Sequence, residues 1–506
     1  MLTRFSLARA AVTGRSSGRR IEAYELAGAL AILAFPALLL LWRRSLGVTF
    51  FALSNDDFHR TLYAWEVTQG RLVPSDLWPP LQFWVEALAL LAYPHILSVP
   101  HLVNLAASTG ALVALVLLGR ALRLGAAARL LLLTLAATLP WFIWVSLSVL
   151  GEPLFLLGIS AGYAGVAWWR GHGAPRALWV AAAGFAGAGM VRFDAWGHAL
   201  PFSLGVAWLW WRSAARPPSW LAAAALPWLF PAAWLGWQQV AHGRPLYFAE
   251  VVRGIWLDTY GPLSLQLRLR WQPLDLWLLA GVTLPLALAG LLLMWRRPGV
   301  PLMAFMWLAS FALLMQSTLS HAIALHNQQR LVLAHTLLLT PGAALALSRF
   351  ARCGRAAPLA ALALLLALAV GRLTAVPAYP NGLAPDVQLV GSHVDALRTS
   401  GVLRPGDRIV IEVIFWDYVS LHLLMNDPGA VEYDRAPRPI IRERKYTMDD
   451  ITNPSLLALP PDELRAELRR RGVRVVVAHS ERAAANLRPI ARQTEHAGRF
   501  RVFVIE

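Results

Sequence analysis

Charge is scarce in this sequence. Only 15% of its 506 residues are Asp, Glu, Lys or Arg, against roughly 25% in soluble domains. That excludes an ordinary soluble globular chain. Cysteine is nearly absent. The single Cys353 sits in a basic loop, so neither a disulfide framework nor a thiolate metal site can be built from it. No Walker loop occurs, and no glycine-rich dinucleotide motif stands in a strand–turn–helix setting, so nucleotide chemistry on a soluble face is unsupported. Convincing internal repeats are missing. A small-residue cleavage site is also missing after the basic start, which carries Arg4, Arg9, Arg15, Arg19 and Arg20. Basic residues followed by an apolar run read as an uncleaved signal anchor.

What the sequence has is apolar length. Hydrophobic residues make up 57%, and between residues 26 and 376 apolar runs recur at roughly the 18 to 22 residues needed to cross a bilayer core. The class is a polytopic membrane protein, and its 23 tryptophans suit an interfacial aromatic belt. The formal net charge of +17 would suggest nucleic acid in a soluble protein. Here the basic residues fall in short loops between apolar runs, where they set topology, and no nucleic-acid partner is expected.

About eleven spans are expected, near 24–43, 102–120, 129–149, 153–169, 177–192, 196–211, 220–240, 274–295, 300–318, 331–348 and 357–376. The stretch 78–93 is apolar but begins "WPPLQFW" and contains Glu86, and reads as an interfacial or re-entrant helix. With the N-terminus inside, the inner loops hold Arg120, Arg123, Arg129, Arg170, Arg176, Arg212, Arg216, Arg296, Arg297, Arg349, Arg352 and Arg355, with no acid among them. The outer loops hold Asp56, Asp57, Glu66, Asp76, Glu152, Asp194, Glu250, Asp258 and Asp275. This is a positive-inside pattern, with Arg43 and Arg44 as the one departure. Eleven spans put the C-terminus outside.

The tail changes character. "DRIVIEVIF" (407–415), "VRVVVAHS" (473–480) and "RFRVFVIE" (499–506) read as buried strands. "PDELRAELRRRG" (461–472) reads as a capped amphipathic helix ending at glycine. The expected architecture is a basic cytoplasmic N-terminus (1–23), a transmembrane α-helical domain (24–376) with a long first outer loop (50–100), and a small extracytoplasmic α/β domain (377–506).

The first outer loop opens with "SNDDFHR" (54–60), two carboxylates placed just past an apolar run, at the depth of a lipid headgroup. Ser54 can cap a helix starting at Asn55, with Asp57 as the acid of a capping-box arrangement. The same helix start aims its first-turn side chains, so a catalytic reading stays open beside the capping one. A metal pair from Asp56 and His59 is a further alternative. Glu152, Arg192, Asp194 and Arg330 all stand at outer span ends. They are either snorkelling groups and local ion pairs, Arg192 with Asp194 above all, or parts of one cavity with arginines for a phosphate and carboxylates for hydroxyl chemistry. His321 and His326, five apart, do not share a helix face, and Arg268 and Arg270 suit an interfacial segment. The outer loop 240–256 is of a size to cover a cleft.

In order along the chain, "SNDDFHR", "WPPLQFWVEA", "HLVNLAASTGALVALVLLGRAL", "GEPLF", "VRFDAW" and "QRLVLAHTLLLTPGAALAL" resemble the motifs of the GT-C glycosyltransferases that use polyprenyl-phosphate sugars. The similarity is greatest to the protein O-mannosyltransferase and aminoarabinose transferase group. Gly151 stands where that group has Ser, Phe193 and Asp194 where it has Pro and Glu, and Leu331 where it has Tyr. The resemblance covers roughly residues 24 to 376 and none of the tail. It implies an inverting transfer from a polyprenyl-phosphate sugar donor to a glycan, lipid or protein acceptor, on the outer face of a bacterial-type inner membrane. By motif position it makes Asp56 the general base. Asp57, Arg60, Glu152, Arg192, Asp194 and Arg330 become substrate-binding residues, with Arg330 first for the leaving phosphate. No cofactor is required, though some relatives use a divalent metal. The rival readings are an inactive relative that binds lipid or scaffolds a partner, and a transporter, which would place its ionisable groups at mid-span.

Overall fold

The computed structural model describes residues 15–45, 50–281, 283–320, 328–352, 363, 367, 385–413, 417–425, 427–435 and 454–505. The expected span 357–376, His321, His326 and Cys353 lie essentially outside the described residues.

The first part of the chain is helical: α1 (Arg15–Ser45), α2 (Asn55–Thr68), α3 (Leu81–Ala92), α4 (Val99–Ala121), α5 (Ala126–Ala137), α6 (Pro140–Leu147), α7 (Glu152–His172), α8 (Pro175–Gly189), α9 (Asp194–Arg212), α10 (Pro218–Ala225), α11 (Leu229–His242), α12 (Tyr247–Tyr260), α13 (Leu265–Ala280), α14 (Thr283–Met294), α15 (Val300–Leu319) and α16 (Leu333–Phe350). Several begin with proline in the first turn, as in α4, α6, α7, α8 and α15. There the missing N–H costs nothing and the fixed φ suits the helix.

Among the described residues, three helical stretches are long and apolar enough to cross a membrane: Val99–Ala121, Pro218–His242 and Val300–Leu319. Each of two bent pairs, taken as one span, brings the number to five. The expected straight spans at 129–149 and 274–295 are both broken. The first bends by 66° between α5 and α6, because Pro140 opens α6 and holds Leu139 in an extended conformation. The second bends by 88° between α13 and α14, where α13 ends at Gly281 with φ +52°. The helix α3 is twelve residues long, too short to span, in keeping with the interfacial reading of 78–93.

The centre of the bundle is α7, against α4 on one side and α8 on the other. Small residues let α7 and α8 touch backbone to backbone. A Cβ built on Gly158 would stand 2.7 Å from the Gly184 carbonyl oxygen, and one on Gly184 would stand 2.6 Å from that of Gly158. Close approach of this kind replaces the hydrophobic effect, which gives little between helices in lipid.

The tail forms a five-stranded sheet with α17 (Pro385–Thr399), α18 (Asp417–Leu424), α19 (Pro461–Arg470) and α20 (Glu481–Leu487). The strands β1 (Arg408–Ile411), β2 (Val431–Tyr433), β3 (Val473–Ala478), β4 (Ala491–Ala497) and β5 (Phe500–Ile505) lie in the order β2-β1-β3-β5-β4. The strand β1 is parallel to β2 and β3, and β5 is antiparallel to β3 and β4. The three strands and the helix expected from the sequence are present. One apolar cluster runs from Phe58 and Leu62 of α2 to Val390 of α17 and Val419 and Leu423 of α18, so the tail packs on one face of α2.

Overpacking a close helix contact costs roughly 1–3 kcal/mol. Gly158→Leu is therefore expected to lower the thermal unfolding temperature of the purified protein in detergent. An unchanged temperature would mean that α7 and α8 do not approach this closely.

Candidate active site

The site is built from the start of α2. Ser54 is extended (φ −158°, ψ 173°) and its hydroxyl accepts the Asp56 N–H at 3.3 Å. In return one oxygen of Asp57 accepts the N–H groups of Leu53 and Ser54, both at 3.0 Å. This is the capping box that the spacing allowed. The other Asp57 oxygen reaches across the chain to the Val149 N–H at 2.6 Å. Asp57 is fully buried. Burial pushes its carboxyl up to about 7, against the pull of the three N–H donors and with Asp56 adding to the rise. Both its oxygens are therefore engaged by backbone. Its partners are those of a structural residue, whereas the motif resemblance made it a substrate ligand.

Asp56 is one residue earlier on the helix and faces another way. Its side chain is 30% exposed, and one oxygen lies 3.8 Å from a terminal nitrogen of Arg330. Arg330 ends a short 3-10 turn (Gln328–Arg330) just before α16. Its Nε donates to Glu152 Oε1 at 2.6 Å. Arg192 donates to the same Glu152 oxygen and holds Asp194 Oδ2 through Nη2 at 2.6 Å and Nε at 3.1 Å. The result is a chain, Asp56–Arg330–Glu152–Arg192–Asp194. The local Arg192–Asp194 pair is present, and it is the last link of a longer network. Glu152 is the first residue of α7 and is almost wholly buried. Burial would raise its carboxyl, but Arg192, Arg330 and Arg60 together hold it down at about 2.

Arg60 is the exception among the arginines. It is 2% exposed, yet its partners are neutral. Nη1 donates to Gln82 Oε1 at 2.5 Å, and the guanidinium lies 4.5 Å from the Trp78 ring centre. Its Nε has no partner, and no carboxylate lies within 4.0 Å among the described residues. Burial lowers its pKa, opposed at longer range by Asp56 and Glu152. An arginine buried without a counter-charge is costly, and a bound anion would relieve it.

The sequence reading missed the polar hub behind these groups. Gln82 is fully buried. Besides accepting from Arg60, it donates to Glu86 Oε1 at 2.8 Å and to the Val149 carbonyl at 2.7 Å. Asn104 donates to the carbonyls of Ser148 at 2.9 Å and Leu150 at 2.7 Å. Gln82, Asn104 and Asp57 thus fix the turn 148–151 that delivers Glu152. Neutral amides inside an apolar stretch carry no charge signal. The only cue was Gln82 and Glu86 at i, i+4 in an otherwise apolar helix.

The segment 240–256 meets the site's surroundings at Phe193, which lies between Arg192 and Asp194. Gln238 donates to the Asp76 carbonyl at 2.8 Å, His242 stands 3.6 Å from the Asp76 carboxylate, and Phe248 stacks on Phe193 at 4.1 Å between ring centres. Among the described residues no three His, Cys, Asp or Glu side chains are grouped to hold a metal. His59 Nδ1 faces the Asn55 carbonyl at 3.0 Å, and Asp56 already faces a guanidinium.

A hydrogen bond contributes about 0.5–1.5 kcal/mol, and about 1.5–3 kcal/mol where one partner is charged. Asp57→Ala removes three of them and the cap, so a loss of at least this order is expected in thermal unfolding. Asp56→Ala, at a half-exposed position with one loose contact, should cost clearly less. Equal losses for the two would contradict this division of roles.

No protein-family model matches the sequence, and no curated protein matches it. Solved structures do. ArnT from Cupriavidus metallidurans bound to undecaprenyl phosphate superposes with a TM-score of 0.57 at 12% identity, over 97% of this chain and 98% of that one. The same protein in the apo state gives 0.56 at 13% identity over the same shares. The Archaeoglobus fulgidus oligosaccharyltransferase in the apo form gives 0.49 at 13% identity, over 89% of this chain and 69% of that one. Over nearly its full length this chain has the fold of ArnT, which is the fold of the GT-C glycosyltransferases.

Proposed function

We propose that this protein is an inverting membrane glycosyltransferase. It moves a sugar from a polyprenyl-phosphate donor to a hydroxyl of a glycan, lipid or protein acceptor on the outer face of a bacterial-type inner membrane. One observation carries the reading. A partly exposed carboxylate, Asp56, stands against an arginine, Arg330, on the helix whose next turn holds Arg60, a buried cation without a carboxylate partner. A base and two phosphate ligands are the parts such a transfer needs.

In this reading Asp56 takes the proton of the acceptor hydroxyl as its oxygen attacks the anomeric carbon. The bond from that carbon to the phosphate oxygen breaks with inversion. The electron pair leaves on the phosphate, and the lipid phosphate is released. Arg60 and Arg330 face the charge that develops there, and donors fixed in advance in a low-dielectric site supply the larger part of such a rate. Arg192 is committed to Glu152 and Asp194 and serves to hold Glu152. Glu152 keeps one oxygen without a partner, which suits the orientation of a sugar or acceptor hydroxyl. Asp57 acts through the helix start it caps.

The finer topology belongs to the same proposal: eleven spans, the N-terminus cytoplasmic, and the tail from 377 extracytoplasmic. A reporter fused after residue 376 should give an extracytoplasmic signal, because the loop charges require it. A cytoplasmic signal from a functional fusion would put the span count off by one.

The test of chemistry is Asp56→Asn, which keeps the helix-start preference and removes the base. Loss of a general base costs about 10²–10⁴-fold in rate. The variant should fold and bind undecaprenyl phosphate but fail to transfer. Transfer at the parent rate would remove Asp56 from the mechanism, and a parent that binds the lipid without ever transferring sugar would favour an inactive lipid-binding relative. Arg330→Ala should weaken undecaprenyl phosphate binding, with Arg330→Lys recovering part, since the planar fork is lost.

A further inference from the structure

The buried amide of Gln82 and the bare α-carbon of Gly151 meet at Arg60. A Cβ built on Gly151 would stand 2.9 Å from Gln82 Oε1 and 3.0 Å from Arg60 Nη1. The space that a side chain at 151 would take is therefore filled by the Gln82–Arg60 hydrogen bond. Backbone conformation does not demand glycine here, since Gly151 has φ −72° and ψ −10°, open to any residue. What crowds a side chain is the pair, together with Val191, whose Cγ1 would stand 3.1 Å from that Cβ.

Gln82 has no freedom to accommodate one. Its amide nitrogen is held by Glu86 and the Val149 carbonyl, which leaves Oε1 aimed at Arg60 and fixes the amide's orientation. The guanidinium is pinned between that oxygen and the Trp78 ring, with Nε left unpartnered and buried.

From this geometry we infer that Gln82 is a positioning residue. Its fixed amide oxygen, with the space left by Gly151, holds Arg60 as a cation free of carboxylate partners and ready for the phosphate of a lipid-phosphate ligand. A neutral acceptor orients the arginine without neutralising it. A carboxylate in the same place would compete with the phosphate. The inference rests on the proposed reading of the site as one that binds a polyprenyl phosphate.

The two sides of this arrangement can be broken separately. Gln82→Leu removes the acceptor, and Gly151→Ala leaves Gln82 intact but pushes the pair apart with no backbone strain. Each is measured for affinity to undecaprenyl phosphate in the full chain, alone and combined with Arg60→Ala. Each single variant should weaken binding roughly tenfold, as expected for a lost hydrogen bond to a charged group. In the Arg60→Ala background neither should weaken it further, because both act through Arg60. Effects on affinity that add to that of Arg60→Ala would show that Gln82 and Gly151 act on the fold alone and would overturn the inference. So would parent affinity in Gly151→Ala, which keeps its test if Gln82→Leu fails to fold. Loss of binding in Arg60→Ala with parent affinity in both other variants would sink the positioning role and leave the phosphate reading standing. A parent protein that binds no undecaprenyl phosphate would overturn both.

Discussion

One buried carboxylate organises one end of this bundle. Glu152 opens α7, and a single oxygen receives both Arg330, from the turn before α16, and Arg192, from the segment before α9. Three parts of the chain far apart in sequence are joined there. Taking such charges out of water costs several kcal/mol each, and their attraction offsets this only with good geometry and further hydrogen bonds. Arg192 gains those from Asp194 and Arg330 comes close to Asp56. Removing Glu152 would leave Arg192 with Asp194 alone and Arg330 with only its loose contact to Asp56, so Glu152 is what joins the two halves of the network.

The second constraint is on α2. One face carries Asp56 and Arg60, and another carries Phe58 and Leu62, packed in a cluster with residues of α17 and α18. A helix of 14 residues is marginal in isolation. Here it is held by its cap, by the bond from Asp57 to Val149, by Gln82 on α3 and by the tail. The tail is therefore part of what sets the direction of Asp56, which gives a physical reason for it to pack against α2. The broad-brush fold match to ArnT over nearly the whole chain includes this tail.

Much of this was legible in the sequence. Apolar length and loop charge indicated the helical membrane class, and five of the charged positions singled out, Asp56, Glu152, Arg192, Asp194 and Arg330, meet in one network. The strands β1, β3 and β5 were legible because their side chains are almost all apolar and buried. The strand β4 was not: "ARQTEHA" is a largely exposed strand at the edge of the sheet, with no apolar pattern to betray it. The bend at Pro140 was visible as a residue but hidden by hydropathy, which runs unbroken across it. Gln82 and Asn104 were missed because neutral amides show their importance only when burial makes each unmet hydrogen bond costly.

The adjacent acids show why spacing alone left two readings open. Consecutive residues on a helix point roughly 100° apart, since a turn takes 3.6 residues. At the start of α2 that rotation sends Asp57 back over the backbone of Leu53 and Ser54 and across to Val149, and sends Asp56 outward to Arg330. In the proposed mechanism capping and catalysis are not alternatives for the pair. The cap needs a carboxylate that is buried and saturated by N–H donors, and a base needs one that is partly exposed with an oxygen to spare. A doublet at the second and third helical positions meets both needs. The first acid is aimed by the second, so the capping residue belongs to the site even though every one of its partners is backbone.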